Sequence, residues 1–133
     1  MEAQVARRSG VVVTEGLPVY QEFDGHHGPA PMYLTPQTLP GTPISIAAVD
    51  AAQLAGAPHA DMHLHDDHDE IYLCVTPGLR FAVELADDRI ELTSPASILI
   101  PAGVKHRLVV HEASTDTCPF LGILLEPGAV VSS

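Results

Sequence analysis

Residues 63–70 of the chain are His63-Leu64-His65-Asp66-Asp67-His68-Asp69-Glu70. Successive side chains on a β-strand point to opposite faces, so His63 and His65 project to the same side. The polar residues after His65 are typical of a turn, and the apolar run after Glu70 predicts a second strand. We therefore expect an antiparallel hairpin in which His65 lies opposite Glu70, with their Cβ atoms roughly 4.5 to 5.5 Å apart.

A second histidine-bearing stretch follows later in the chain and is Pro101-Ala102-Gly103-Val104-Lys105-His106. Its Pro-x-Gly sequence predicts a turn that leads into another strand, which would bring His106 to His65 and Glu70. Three imidazoles and one carboxylate are a suitable donor set for Fe, Mn, Ni, Co, Cu or Zn. They suit Mg or Ca poorly, because those ions prefer oxygen ligands alone. The two stretches together predict a site for one divalent transition metal ion.

The two stretches resemble the two motifs of the cupin superfamily. The first cupin motif is H-x-H, four further residues and Glu, and the second is P-x-G-x-x-H. The matching residues here are His63, His65, Glu70, Pro101, Gly103 and His106. The resemblance covers residues 44 to 126 and implies an all-β fold, a single cupin jelly-roll β-barrel (double-stranded β-helix). The metal ligands that it implies are His63, His65, Glu70 and His106.

The rest of the sequence also indicates a β-protein. Short apolar and β-branched runs recur between turn residues with almost no helical periodicity, which is typical of a sandwich or jelly-roll barrel. We expect strands over residues 11–14, 19–23, 43–49, 59–65, 70–75, 79–85, 90–93, 97–100, 105–111 and 120–125. The chain of 133 residues fits one domain with its own core.

Residues 1–42 are expected to form N-terminal strands and an arm, and residues 43–128 the barrel. The arm is rich in Pro and Gly, which excludes a helix, so we expect an ordered segment lying across the barrel. Met32 and Tyr33 are its candidate anchors, over the barrel mouth or against a second subunit. His26 and His27 are adjacent and face opposite ways on extended chain, which favours a solvated turn over a pair of ligands.

Composition excludes several classes of partner. The formal net charge is −11, from 6 basic and 17 acidic residues, which argues against nucleic acid and against an anionic membrane surface. No apolar run approaches the roughly 18 residues of a membrane-spanning helix, and no signal peptide is recognisable. Cys74 and Cys118 are expected to be free buried thiols, as in a reducing compartment, and a cytoplasmic location follows.

The residues that share a face with the ligands are expected to surround a pocket. If residues 77–78 form a two-residue turn, Cys74 pairs with Phe81, Tyr72 with Val83, and Glu70 with Leu85. The substrate-binding residues predicted in this way, with Tyr33 from the arm, are Tyr33, Cys74, Phe81, Val83 and Leu108. Glu70 and Tyr72 are the candidate catalytic residues, as proton carriers. His68 is an alternative ligand in place of Glu70 or His63.

Four protein ligands leave two positions of an octahedral ion open for a chelating small molecule or for one substrate atom beside O2. Our first hypothesis is therefore an Fe(II)-type oxygenase acting on a chelating, partly apolar metabolite, with Fe²⁺ as the favoured ion. A non-redox isomerase, cyclase or lyase that uses the ion as a Lewis acid is the alternative. A non-catalytic ligand-binding cupin is the third possibility. The architecture suggests a homodimer in which the N-terminal strands pair across the interface.

Overall fold

The structure is a computed structural model, and it describes residues 3–23, 25–56 and 60–126. The described residues form strands and one short 3-10 helix over Ala51–Gln53, with no α-helix. The strands are β1 (Gln4–Arg8), β2 (Val11–Glu15), β3 (Val19–Gln21), β4 (Ala30–Leu34), β5 (Ile44–Asp50), β6 (Asp69–Cys74), β7 (Leu79–Leu85), β8 (Arg89–Thr93), β9 (Ala96–Ile100), β10 (His106–Ala113) and β11 (Pro119–Leu125). Among these residues no helix is long and apolar enough to cross a bilayer.

The strands form two main antiparallel sheets. The larger has six strands in the order β3-β4-β5-β11-β6-β9, and the smaller has three in the order β10-β7-β8. Among the described strands, β1 and β2 pair with each other alone, and β1 is exposed along its whole length. Some neighbours within the sheets are consecutive strands, such as β7 and β8, whereas others are distant in sequence, as β11 between β5 and β6 shows. The predicted all-β jelly roll is confirmed.

The apolar core lies between the two main sheets. Its members alternate along their strands with outward-facing residues, as the period of two for a half-buried strand requires. The largest apolar side chains of the core with less than 2% exposure are Met32, Leu79, Phe81 and Val83. Cys74 and Cys118 lie in the same core as free thiols, with their Sγ atoms 3.6 Å apart.

The predicted pairing of β6 with β7 is wrong. β6 pairs with β11 on one side and β9 on the other, whereas β7 pairs with β10 and β8. Cys74, Phe81 and Val83 still meet, but across the gap between sheets rather than along a ladder. A hairpin turn specifies local pairing only, and both edges of β6 are occupied by strands from elsewhere in the chain.

The predicted strand over residues 59–65 is also not formed as expected. His59 lies outside the described residues, and residues 60–65 contain only isolated bridges, at Ala60 and His63. The hairpin that would place His65 opposite Glu70 is therefore absent, because β6 has no free edge for it. His63 instead bridges His106 at the start of β10.

The Pro- and Gly-rich segment contains β4, a strand that the sequence analysis did not predict. Tyr20 on β3 lies opposite Pro31, and the register of β4 against β5 begins one residue later, at Met32. Proline lacks a backbone N–H. Because Pro31 precedes the first residue pair between β4 and β5, it removes no hydrogen-bond donor from the ladder between these two strands. Because alternate side chains of β4 face opposite ways, Met32 is buried and Tyr33 is 43% exposed.

Candidate metal centre

Four side chains from three segments converge at one end of the space between the sheets. His63 and His65 come from the loop before β6, Glu70 from β6, and His106 from the first position of β10. One donor atom from each lies within 4.8 Å of every other. The structure therefore brings together the four residues that the sequence predicts as ligands.

Backbone hydrogen bonds connect the two motifs that carry these side chains. The N–H of His63 donates to the carbonyl of His106 over 3.0 Å, and the N–H of His106 donates in return over 2.8 Å. The N–H of Gly103 donates to the carbonyl of His65 over 2.7 Å, and Gly103 has a φ of +84° that favours glycine. The N–H of Ala102 donates to the buried Asp69 carboxylate over 2.8 Å. The glycine turn thus holds the two motifs in register.

Two of the imidazoles are oriented by backbone carbonyls. The Nδ1 atom of His63 lies 2.7 Å from the carbonyl of Asp61, and that of His106 lies 2.8 Å from the carbonyl of Val104. A carbonyl can only accept, so each Nδ1 carries the proton. This leaves the Nε2 of a neutral ring as the metal-binding atom, an arrangement common in metal sites.

Two buried nitrogen atoms at the centre lack a protein partner. Among the described residues, the Nε2 atoms of His63 and His65 make no hydrogen bond, although His65 Nε2 lies 3.4 Å from Glu70 Oε1. A buried polar atom without a hydrogen-bond partner lowers the stability of the folded protein by about 1 to 3 kcal/mol. Such atoms therefore indicate a position where a ligand binds. Imidazole and carboxylate donors suit a divalent transition ion. The cluster can therefore hold one such ion.

Charge within the cluster favours an ionised carboxylate. Burial alone would raise the pKa of Glu70, but the hydrogen bond from His106 and the neighbouring imidazole of His65 lower it to about 2. Burial would lower the pKa of His106, yet its contacts with Glu70, at 2.9 Å, and with the carbonyl of Val104 raise it. Burial lowers the pKa of His63, which keeps this ring neutral near pH 7. Glu70 is thus a negatively charged donor among imidazoles.

His68 lies beside the cluster but is not one of its four donors. Its ring stacks on that of His65, with centroids 4.3 Å apart, and its Nδ1 lies 2.8 Å from Asp67 Oδ1. Burial lowers the pKa of His68. Among the described residues, the four donors that converge include Glu70 and His63. The alternative ligand set, in which His68 replaces one of these two residues, does not form.

His26 and His27 separate as the sequence analysis expects, but His26 is not in a solvated turn. Its ring centroid lies 4.7 Å from that of His63, and its backbone bridges Ala60. His27 is exposed, and its Nε2 lies 3.0 Å from Asp61 Oδ1. No local sequence signal distinguishes the two histidines. Only the pairing of this segment with residue 60 brings His26 to the centre.

The residues predicted to bind substrate lie elsewhere. Cys74, Phe81, Val83 and Leu108 are at most 3% exposed and belong to the packed core. Tyr33 points outward from β4. These five residues are absent from the linings of the described cavities that adjoin the cluster, so their role in substrate binding remains a prediction. Tyr72, a candidate catalytic residue, is buried beside Glu70, and burial together with this carboxylate raises its pKa well above 10.

Two neighbouring spaces adjoin the cluster. The inner chamber, of about 40 Å³, is lined by Phe23, His26, Ala30, Met32, Ala47, His65, Glu70, Gly122 and Leu124. The outer cleft, of about 950 Å³, is lined by Gln21, Glu22, Phe23, Pro36, Gly41, Thr42, Pro43, Ser45, Leu64, His65, Asp66, Asp67, His68, Leu124, Leu125 and Glu126. Phe23, His65 and Leu124 belong to both linings, so the two spaces lie next to each other. A glycine within a strand, such as Gly122, is the sequence signal that could have indicated the chamber.

No family model matches the sequence, and no curated protein is similar to it. Solved structures do match. A protein from Planctomyces limnophilus is 26% identical, with a TM-score of 0.54 and 76% of each chain covered. A cupin protein from Bacteroides fragilis is 20% identical, with a TM-score of 0.57 over 86% of this chain and 90% of that one.

A predicted oxalate decarboxylase from Thermotoga maritima is 14% identical, with a TM-score of 0.55, and the match covers 83% of this chain and 92% of that one. At these identities the likeness concerns the fold rather than the activity. Together with the two motifs that the chain carries, these similarities identify its fold as that of the cupin superfamily.

Proposed function

We propose that this protein is a metal-dependent enzyme, an Fe(II)-type oxygenase that acts on a small, chelating, partly apolar metabolite. The observation that carries the proposal is the convergence of three imidazoles and one carboxylate where an open cleft meets a small chamber. Imidazole and carboxylate ligands with open positions are typical of non-haem Fe(II) oxygenases. When bound, the ion supplies a Lewis acid and, as Fe²⁺, a centre for the activation of O2.

The residues of the chain prepare this site in three ways. The carbonyls of Asp61 and Val104 hold two imidazoles in the required tautomer. The apolar lining of the chamber excludes water from one side of His65 and Glu70, which strengthens electrostatic interactions there. Burial and the neighbouring Glu70 carboxylate raise the pKa of Tyr72, so its phenol keeps its proton close to the centre.

The charges of the outer cleft restrict the substrate. Its lining includes the carboxylates of Glu22, Asp66, Asp67 and Glu126, and none of its described residues is Lys or Arg. A site of this sign repels polyanions such as phosphate esters. It favours a chelator that is neutral in solution and loses a proton on binding. A catechol or an enolisable diketone has this property.

A non-redox isomerase, cyclase or lyase is the second candidate. The observation that favours it is the buried hydroxyl of Tyr72 beside the carboxylate of Glu70, which together with burial raises the pKa of Tyr72. A buried phenol and carboxylate in contact can carry a proton to or from a bound substrate. In this reaction the ion acts only as a Lewis acid, and O2 takes no part.

The test is O2 uptake by protein purified anaerobically and loaded with Fe²⁺, against a panel of neutral chelating metabolites. We expect uptake with at least one catechol or diketone, and loss of that uptake in His65→Ala. His111→Ala is the matched control, because His111 lies on the outer side of β10 against Glu91. Turnover without O2 uptake would support the Lewis-acid enzyme. Tight binding without turnover under any metal would support a ligand-binding protein.

A further inference from the structure

Three residues that line the inner chamber, Met32, Ala47 and Gly122, belong to one row across the six-stranded sheet. Met32 on β4 lies opposite Ala47 on β5, and Ala47 lies opposite Gly122 on β11. Gly122 in turn lies opposite Tyr72 on β6. Large side chains stand at both ends of this row, whereas the two middle positions carry one methyl group between them. The chamber is the hollow that these two missing side chains leave.

The size of the hollow limits what can enter it. Its volume is about 40 Å³, whereas a cavity needs roughly 10 to 15 Å³ to hold one water molecule. Since one water molecule in the liquid occupies about 30 Å³, the chamber has room for roughly one to three groups of the size of water or methylene. A branched chain or an aromatic ring does not fit without displacing the residues that line it.

The chemistry of the lining favours an apolar occupant. Apart from His65 and Glu70 at the metal centre and His26 at the edge, the lining consists of apolar side chains and Gly122. Apolar groups gain free energy by leaving water for such a surface, whereas a polar group would lose hydrogen bonds there. The chamber is lined by His65 and Glu70 but not by His63 or His106, so it lies on the side of the first two donors.

We infer that the inner chamber is a size-selective subsite for a short unbranched alkyl group of at most about three carbon atoms. The substrate carries this group next to its chelating group, and Ala47 and Gly122 set the permitted length. The inference rests on the proposed function for the binding of the chelating group. It adds the size and polarity of the part that lies beyond the metal centre.

Alkyl hydroxamic acids are suitable probes, because they are neutral in solution and chelate divalent metals through two oxygen atoms. We would load the protein with Co²⁺ and follow the visible absorbance of the ion during titration with hydroxamic acids from two to eight carbons. Affinity should rise about fourfold with each methylene that enters the chamber. It should stop rising, or fall, beyond about three alkyl carbons.

Two variants should shorten the permitted chain. A Cβ on Gly122 would lie 3.7 Å from Glu70 Oε2, which is ordinary contact, so Gly122→Ala fills space without displacing the ligand. Ala47→Val fills the neighbouring position. In both variants we expect wild-type Co²⁺ stoichiometry and unchanged affinity for the shortest probe, with the maximum shifted by at least one carbon. Ala48→Val is the matched control, because residue 48 lies on the opposite face of β5.

The outcomes separate the subsite from the proposed function. Affinity that is independent of chain length, or that rises steadily to eight carbons, would overturn the subsite and leave the metal site standing. An unchanged length optimum in Gly122→Ala would do the same. If the shortest probe left the Co²⁺ spectrum unaltered, the ion would have no open positions, and the proposed function itself would fail.

Discussion

The space between the two sheets contains a closed region and a metal region that are built from the same strands. Along β6, Cys74 lies in the closed region and Glu70 in the metal region, with Tyr72 between them. Along β11, Phe120 fills the closed region, whereas Gly122 leaves the metal region hollow. The backbone is continuous through both regions. The size and polarity of alternate side chains therefore decide whether one stretch of barrel is a core or a site.

The comparison also distinguishes residues that contribute to stability from residues that contribute to function. Residues in the closed region pack against one another and need no ligand. The metal region contains imidazole nitrogens that find no partner among the described residues. A protein interior tolerates such atoms when a ligand satisfies them. We therefore expect mutations in the two regions to affect different measurements.

The largest effect on stability is expected from Phe81→Ala in the closed region. Phe81 is fully buried and meets the ring of Phe120 edge to face, with centroids 5.4 Å apart. The cavity left behind should lower the free energy of unfolding by about 3 to 5 kcal/mol, as measured by urea denaturation of the metal-free protein. Val75→Ala, at a residue that is 65% exposed, should change little. A loss below about 1 kcal/mol for Phe81→Ala would contradict a closed core here.

The next effect is expected from His106→Ala in the metal region. Removal of one of four ligands should weaken metal binding on the order of a hundredfold or more, while the closed region keeps the protein folded. Metal content after dialysis, together with calorimetric titration, measures the change. His111→Ala on the same strand should retain the metal. Equal loss of metal in His106→Ala and His111→Ala would mean that β10 is needed for folding and that His106 does not bind the metal.

Acidification should distinguish the two regions through Glu70. The pKa of this group is lowered from 4.5 to about 2, so the folded state binds its proton more weakly than the unfolded state. The resulting stabilisation is present above about pH 4.5 and is lost as the pH falls towards 2.

Glu70→Gln removes this contribution. Metal-free wild type should therefore exceed the variant in unfolding free energy by on the order of 2 kcal/mol near pH 6, and the gap should close in acid. Urea denaturation at a series of pH values measures it. Glu112→Gln, on the exposed side of β10, is the control. A gap that does not change with pH would exclude an ionised Glu70 in the folded protein.

The smallest effect is expected from Tyr72→Phe, at the boundary between the regions. The variant loses the hydroxyl beside Glu70 but keeps the ring against Phe120, at 5.5 Å between centroids. The unfolding free energy should fall by about 1 kcal/mol, and metal content should remain at the wild-type level. If the metal were lost instead, Tyr72 would be essential for holding the ligands.

Prediction from the sequence succeeded where local spacing carries the chemistry. The spacing of His63, His65 and Glu70, and that of Pro101, Gly103 and His106, are properties of short segments. The expected all-β architecture likewise follows from alternation and turn residues. The strands with which these segments pair were predicted less well. β6 pairs with β11 and β9 because the whole barrel closes that way, and no turn residue near β6 specifies this.

The hydrogen-bond partners of the candidate ligands and of their neighbours could not be predicted from the local sequence either. The partner of the His63 imidazole is the backbone carbonyl of Asp61. Every residue has a backbone carbonyl, so the composition of a segment does not indicate which carbonyl will contact an imidazole. Asp69, expected in a solvated turn, is buried and accepts from the N–H of Ala102.

The sequence by itself determined the donor set, the β architecture and the strongly acidic charge, because each depends on residue types at short separations. Only the tertiary structure decided that His26 rather than His27 adjoins the centre, that Tyr33 faces outward, and that Ala47 and Gly122 form the floor of a chamber. These facts depend on contacts between strands far apart in the chain. Such contacts arise from the simultaneous burial of all the strands, which no single segment encodes.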